Sequence, residues 1–253
     1  MAVQHFHTPD PVDLEISVPV GTVEVETVDG DESIVTVEGT EKLVEQTRVE
    51  LHGRSLRVEF QGKKPFGIIV SIGDFSFGNS RLEITAKVPH RSAADLKTAS
   101  ADMKLRGRVA SLTTNTASGD LSVQGEIEDD ATLKTVSGDI RVDHIGRELK
   151  AQSVSGDVHV RTVGGSAQVK TVSGDIELES LREGEATMQT VSGDIDLGVA
   201  PGTNLDVDAG SVSGELASEV PLGSEASSLS DDGPTLVVRG KTVSGDFRVR
   251  RAL

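Results

Sequence analysis

Apolar and polar residues alternate one by one through much of this chain. Leu14-Glu15-Ile16-Ser17-Val18, Val23-Glu24-Val25-Glu26, Val35-Thr36-Val37-Glu38 and Leu56-Arg57-Val58-Glu59-Phe60 all show it. A two-residue period is that of a β-strand with one face buried. Turn residues separate the runs, at Gly21, Asp29-Gly30, Gly39 and Gly53. No segment of 10 or more residues carries an apolar stripe of period 3.6, so no α-helix of consequence is expected.

From residue 100 onward the alternation is organised by a repeat. Ser-Gly-Asp begins at Ser118, Ser137, Ser155, Ser173, Ser192 and Ser244, with Ser213-Gly214-Glu215 as a variant and Ser100-Ala101-Asp102 as a decayed first copy. Successive copies start 18, 19, 18, 18, 19, 21 and 31 residues apart. The flanks repeat as well: TVSGDI stands at Thr135–Ile140, Thr171–Ile176 and Thr190–Ile195, SVSGDV at Ser153–Val158 and TVSGDF at Thr242–Phe247. Each unit is a strand, a tight corner at Gly and a second strand.

Parity assigns the faces. Ile140 and Val142 flank a charged Arg141 and point inward. Carrying the alternation back through the corner puts Leu133, Thr135 and Ser137 inside. The same step leaves a file of outward valines: Val136, Val154, Val172, Val191 and Val243, flanked by Lys134, Gln152, Lys170 and Gln189. An exposed apolar strip marks an interface unless another part of the chain covers it.

A unit this short buries its apolar face only by stacking on copies of itself. The expected fold class is all-β: a single-stranded-type β-solenoid, or β-helix, of ~18–19-residue rungs with an N-terminal β cap. Eight rungs at ~4.8 Å give a column roughly 35–40 Å long. A β-propeller needs about 40–45 residues per blade, more than twice the period here. Residues 1–95 are expected to form the cap, continuous with the solenoid, and residues 96–253 the repeat array. Residues 217–233, small, polar and acidic, account for the longest gap and predict a flexible surface loop. Phe66, Phe75 and Phe77 fall in a Gly-punctuated stretch expected to plug one open end or to meet a partner.

Charge narrows the function. Acids outnumber bases 41 to 25 over 253 residues, and the excess holds in both halves of the chain. Nucleic-acid binders need a basic face, so nucleic acid is not an expected partner, and anionic membrane surfaces are disfavoured. The longest apolar stretch, near Phe66–Ile72, is too short to span a bilayer, so membrane insertion is not expected. With no Cys, thiol nucleophiles, disulfides and Cys-ligated metals are excluded. The opening residues MAVQHFHTPDPVDLEISVP show no basic stretch followed by an apolar run, and a cytoplasmic location is expected.

The recurring TVSGDI, the preceding EITAKVPHRSAADLKTASADMKLRG and the closing GKTVSGDFRVRRAL together resemble the bacterial "putative adhesin" β-strand-repeat family. The resemblance spans most of the chain and is densest from about residue 82. It implies domains built from stacked Ser-Gly-Asp rungs, in proteins often exported or membrane-tethered.

Candidate chemistry is sparse. Asp120, Asp139, Asp157, Asp175 and Asp194 form a column with Asp102, Asp246 and Glu215. Carboxylates ~5 Å apart repel by roughly 1 kcal/mol per pair in water. Either Ca²⁺ ions or corner amides must compensate. Six histidines, His5, His7, His52, His90, His144 and His159, fall into no metalloprotease-like spacing, although His5 and His7 could pinch a metal on a strand. No Ser stands in G-x-S-x-G, and the short uniform rungs leave no room for a carbohydrate-cleaving cleft. The expected function is a non-catalytic scaffold or interaction module without a cofactor, acting on a protein partner or on itself as a homo-oligomer. The alternative is a module that loads Ca²⁺ or glycan along the Asp column.

Overall fold

The computed structural model describes residues 1–62, 81–220 and 233–252. Among them, 21 strands join into one continuous sheet, and the helical content is the five-residue segment Glu41–Glu45. Each rung supplies a short strand before its corner and a longer one after it. Leu112–Asn115, Ala131–Lys134, Leu149–Gln152 and Ala167–Lys170 stack in parallel, as do Leu121–Ile127, Ile140–Ile145, Val158–Val163 and Ile176–Leu181. The architecture is a β-solenoid, as the repeat predicts.

Register is in phase from rung to rung. Leu133 lies beside Ala151, Ala151 beside Val169, and Val169 beside Met188. Apolar side chains therefore stack on apolar side chains, and one core cluster runs through the column and into the N-terminal strands. Full burial of each large aliphatic contributes about 1.5–3 kcal/mol, which is how a nearly aromatic-free chain holds a core.

Beside this core runs a file of buried hydroxyls: Thr98, Thr116, Thr135, Ser153, Thr171, Thr190 and Thr242. Thr98 donates to Thr116 at 2.9 Å and Thr116 to the Ser118 carbonyl at 3.0 Å. The hydroxyls of Thr135, Ser153 and Thr171 find no partner among the described residues. The serines of the corner depart from strict alternation: Ser137, Ser173 and Ser192 are exposed rather than inward. Their backbones bridge to one another, and the glycine that follows turns the chain before the next inward position.

The two ends share a device that spacing does not reveal. Strand Asp13–Val28 is not the outermost rung. It pairs in parallel with Ala93–Val109 on one side and with Ser55–Phe60 and Glu83–Pro89 on the other. The column therefore takes in residues well before position 96. Beyond it the pairing turns antiparallel, through Glu32–Glu38, Ala2–His7 and Thr47–His52, and this closes the N-terminal end.

At the far end, rungs do not follow sequence order. Strands Thr235–Ser244 and Phe247–Arg251 slot between the rung of Ser192 and the rung of Ser213. Composition explains the exchange. Leu236, Val238, Phe247 and Val249 are buried, whereas Leu205, Val207 and Ala209 of Asn204–Ser213 are only partly covered. A terminal rung is covered on one side, so the less apolar coil takes that place.

Phe247 is a fully buried side chain and occupies a position held by Ile in the neighbouring rung, where Ile195 is its partner. Room for the ring comes from Gly240, opposite Met188, where an added Cβ would lie 1.9 Å from the ring. Gly240→Val is expected to lower stability by about 1–3 kcal/mol, the usual cost of overpacking. Phe247→Val in the same chain should recover part of that loss. Urea unfolding followed by far-UV circular dichroism checks it, and an unchanged midpoint for Gly240→Val would contradict the packing.

Candidate interaction surface

The corner is where the sequence has least freedom. At Gly138, Gly156, Gly174 and Gly193, φ lies between +150° and +156°. A Cβ on any of them would sit 2.2–2.3 Å from the carbonyl oxygen of the glycine one rung earlier. Only glycine meets both conditions.

Aspartate completes the corner. The Oδ1 atoms of Asp102, Asp120, Asp139, Asp157, Asp175 and Asp194 each accept the backbone N–H of the next Asp in the stack, at 2.8–3.1 Å. Asp246 does the same for Glu215 at 2.9 Å. A hydrogen bond to a charged group contributes about 1.5–3 kcal/mol. That exceeds the roughly 1 kcal/mol of repulsion between exposed neighbouring carboxylates. Amides thus supply compensation at one oxygen of each Asp. The other meets Arg141 at Asp139 (2.8 Å) and Arg248 at Asp246 (2.6 Å).

Three residues before each Asp stands the valine file. Val136, Val154, Val172, Val191 and Val243 are 46–51 % exposed. The exchange of rungs adds a member that sequence order hides. Ser211 and Ser213 pair with Thr242 and Ser244, so Val212, 81 % exposed, lies beside Val243 at the end of the file. Six valines in line span about 24 Å at strand spacing.

A second exposed file runs alongside. Asn115, Lys134, Gln152, Lys170, Gln189 and Lys241 are consecutive in register. Lysine recurs on every second rung, so a chain of strongly negative charge presents a basic stripe here. At the C-terminal end both files open into a cleft of about 690 Å³, lined by Lys170, Val191, Asp208, Val212, Lys241 and Val243.

The family model described as Toastrack DUF4097 matches residues 13–250. The chain belongs to that family. No curated protein matches it. Among solved structures, this Toastrack chain is similar to a putative lipid binding protein from Parabacteroides distasonis ATCC 8503, with a TM-score of 0.59 at 17 % identity over 98 % of this chain and 96 % of the other. It is also similar to a putative adhesin from Bacteroides fragilis NCTC 9343, with a TM-score of 0.56 at 13 % identity over 98 % and 96 %. A putative adhesin from Parabacteroides distasonis ATCC 8503 gives 0.55 at 15 % identity over 98 % and 97 %. At these identities the likeness is one of fold.

Phe66, Phe75 and Phe77, expected as an end plug or partner contact, lie outside the described residues of the Toastrack chain, as does most of the expected 217–233 loop. His5 and His7 each face one acid, Glu32 at 2.9 Å and Asp31 at 3.7 Å. Among the described residues no helix is long and apolar enough to cross a membrane.

The Asp ladder makes a graded prediction. Asp157→Ala orphans the Asp175 amide and is expected to cost about 1 kcal/mol or more. Asp157→Asn keeps the acceptor, removes a like charge and should be close to neutral. Urea midpoints of the two variants check the order; equal losses would show that charge rather than acceptance holds the corner.

Proposed function

We propose that this Toastrack chain is a non-catalytic assembly module that works by pairing its valine file with that of a second copy. The observation that carries the proposal is the file itself: six half-exposed or more exposed valines in line, whereas the other exposed large apolar residues among those described, Met1, Val3 and Leu216, lie outside it. Pitch supports the choice of occupant. The valines repeat every ~4.8 Å, whereas an extended peptide presents a side chain to one face every ~6.6 Å and drifts out of step within a few rungs. Another solenoid has the same pitch and stays in step along the whole file.

Charge selects the orientation. The valines lie between the Lys/Gln file on one side and the Asp corner on the other. Two copies related by a two-fold axis along the column run parallel, with lysine against aspartate and valine against valine. The antiparallel arrangement sets lysine against lysine. The Val file is narrow, so the flanking files are needed for area. Eight rungs, at ~4.8 Å by at most about 20 Å from Lys to Asp, give on the order of 700 Å², close to the ~800 Å² per partner of a standard interface.

Loading of Ca²⁺ along Asp120, Asp139, Asp157, Asp175 and Asp194 is the weaker reading, since one oxygen of each is engaged by a backbone amide. The adhesin names of two similar structures are consistent with a binding role and add no residue-level support.

Light scattering with refractive-index detection tests the proposal. The expected mass is twice the 26.6 kDa of the chain. Val154→Lys, Val172→Lys and Val191→Lys together should return a monomer with an unchanged far-UV spectrum, and Lys134→Glu with Lys170→Glu should weaken the pairing. Added Ca²⁺ should leave mass and melting temperature unchanged. A monomer at all concentrations, or a dimer indifferent to these substitutions, would overturn the reading.

A further inference from the structure

The strands that follow the corners carry a different chemistry. His159 on Val158–Val163 stands directly opposite Glu177 on Ile176–Leu181, in parallel register. Glu179 is two residues further along the same strand, so it shares the face of Glu177. The His159 Nδ1 lies 2.9 Å from the Glu177 Oε2, and its Nε2 lies 2.9 Å from the Glu179 Oε1. One ligand atom from each of the three groups falls within 4.8 Å of the others. All three side chains are 35–44 % exposed, open to an ion from solvent.

A second layer of contacts holds the carboxylates. Arg250 Nη2 donates to the Glu177 Oε1 at 3.0 Å, and its Nε donates to the Asp196 Oδ1 at 2.5 Å. The hydrogen bond to Asp196 is the main reason that the Arg250 guanidinium is held above its ordinary pKa, against the opposing effect of burial. Arg161 lies 3.9 Å from the Glu179 Oε2 and 3.0 Å from the Asp143 Oδ1. Each glutamate thus has one oxygen turned toward an arginine, a division that turns the other oxygen of each carboxylate toward the imidazole.

We propose that His159, Glu177 and Glu179 form a binding site for a divalent transition-metal ion of the Zn²⁺ or Co²⁺ type. Charge balance points to a dication. The connected groups comprise four acids (Asp143, Glu177, Glu179 and Asp196) and two permanent cations (Arg161 and Arg250). Two positive charges are missing, and an imidazolium supplies only one.

Geometry agrees. Ligand atoms that share an ion at about 2.0–2.2 Å lie roughly 3.0–3.5 Å apart. Each ring nitrogen of His159 faces a different carboxylate, so an ion on one nitrogen takes the carboxylate beside it and draws in the other, whose ligand atom lies within 4.8 Å, by a side-chain rotation. One imidazole with two carboxylate oxygens favours zinc, cobalt or nickel over calcium and magnesium, which prefer all-oxygen sites. Three protein ligands leave positions for water or for a donor from another molecule. The ion would tie two successive rungs together through the strands that follow the corners.

The site is independent of the pairing proposed above. Metal titration of the full chain tests it, after chelator treatment and in a His5→Gln/His7→Gln background that removes the N-terminal histidines. Isothermal calorimetry with Zn²⁺ and the visible absorption of Co²⁺ are the readouts. The expected result is one equivalent bound, with affinity at least tenfold weaker in both His159→Gln and Glu179→Gln and no comparable binding of Ca²⁺ or Mg²⁺. Far-UV circular dichroism of each variant separates lost ligands from lost fold, and Glu179→Gln serves where His159→Gln does not fold. Absence of a one-equivalent site, or a site unchanged by these substitutions, would overturn the proposal.

Discussion

The approach of one corner glycine to the next governs the dimensions of the column. A carbonyl oxygen meets the α-carbon of the following rung closely enough that a methyl group would collide with it. Such contact keeps successive backbones at hydrogen-bonding distance through the turn, where a solenoid would otherwise splay. Once the corners nest, the serines bridge, the aspartates reach the next amide, and the strands on both sides fall into register. Register then places each apolar residue on its counterpart. The core is a consequence of crowding at the edge as much as a cause of folding.

The sequence made much of this legible because a two-residue period and an 18- to 19-residue period are both visible without coordinates. The strands, the corner, the absence of long helices and the outward position of Val136 and Val172 follow from them. What escaped reading depends on chain order in space. Val212 belongs to the file because the last rung is displaced inward, and nothing local at Val212 says so. The inward assignment of Ser137 fails because parity counting assumes that both sides of a residue are strand, and a positive-φ glycine interrupts that. His159 and Glu177 show the opposite case. They are separated by one repeat length, so adding 18 to a residue number finds the partner, while a search for contiguous motifs does not.

In-register stacking also changes what one residue choice means. A position in the repeat becomes a file, and the property of a side chain becomes the property of a surface. Aspartate at the corner makes an acidic edge held by amides, valine three residues earlier an apolar line, and lysine alternating with glutamine a basic stripe in an acidic protein. Departures from the repeat are local chemistry superposed on that pattern. Phe247 with Gly240 repacks one layer of the core, and the group around His159 gathers charge at one place on the outer face.

The exchange of rung order at both ends has a mechanical side. Strand Asp13–Val28 and strands Thr235–Ser244 and Phe247–Arg251 are each paired along both edges, although they stand near the two ends of the chain. In a solenoid wound in simple sequence order, the end strands are the outer ones, and tension peels them away one hydrogen bond after another. Here tension drawn through the C-terminal end must shear two ladders together before a rung can leave, and at the N-terminal end the same holds for Asp13–Val28 once Ala2–His7, paired along one edge, has come away. The column is thereby gripped from inside by strands that lie close to the two ends of the chain.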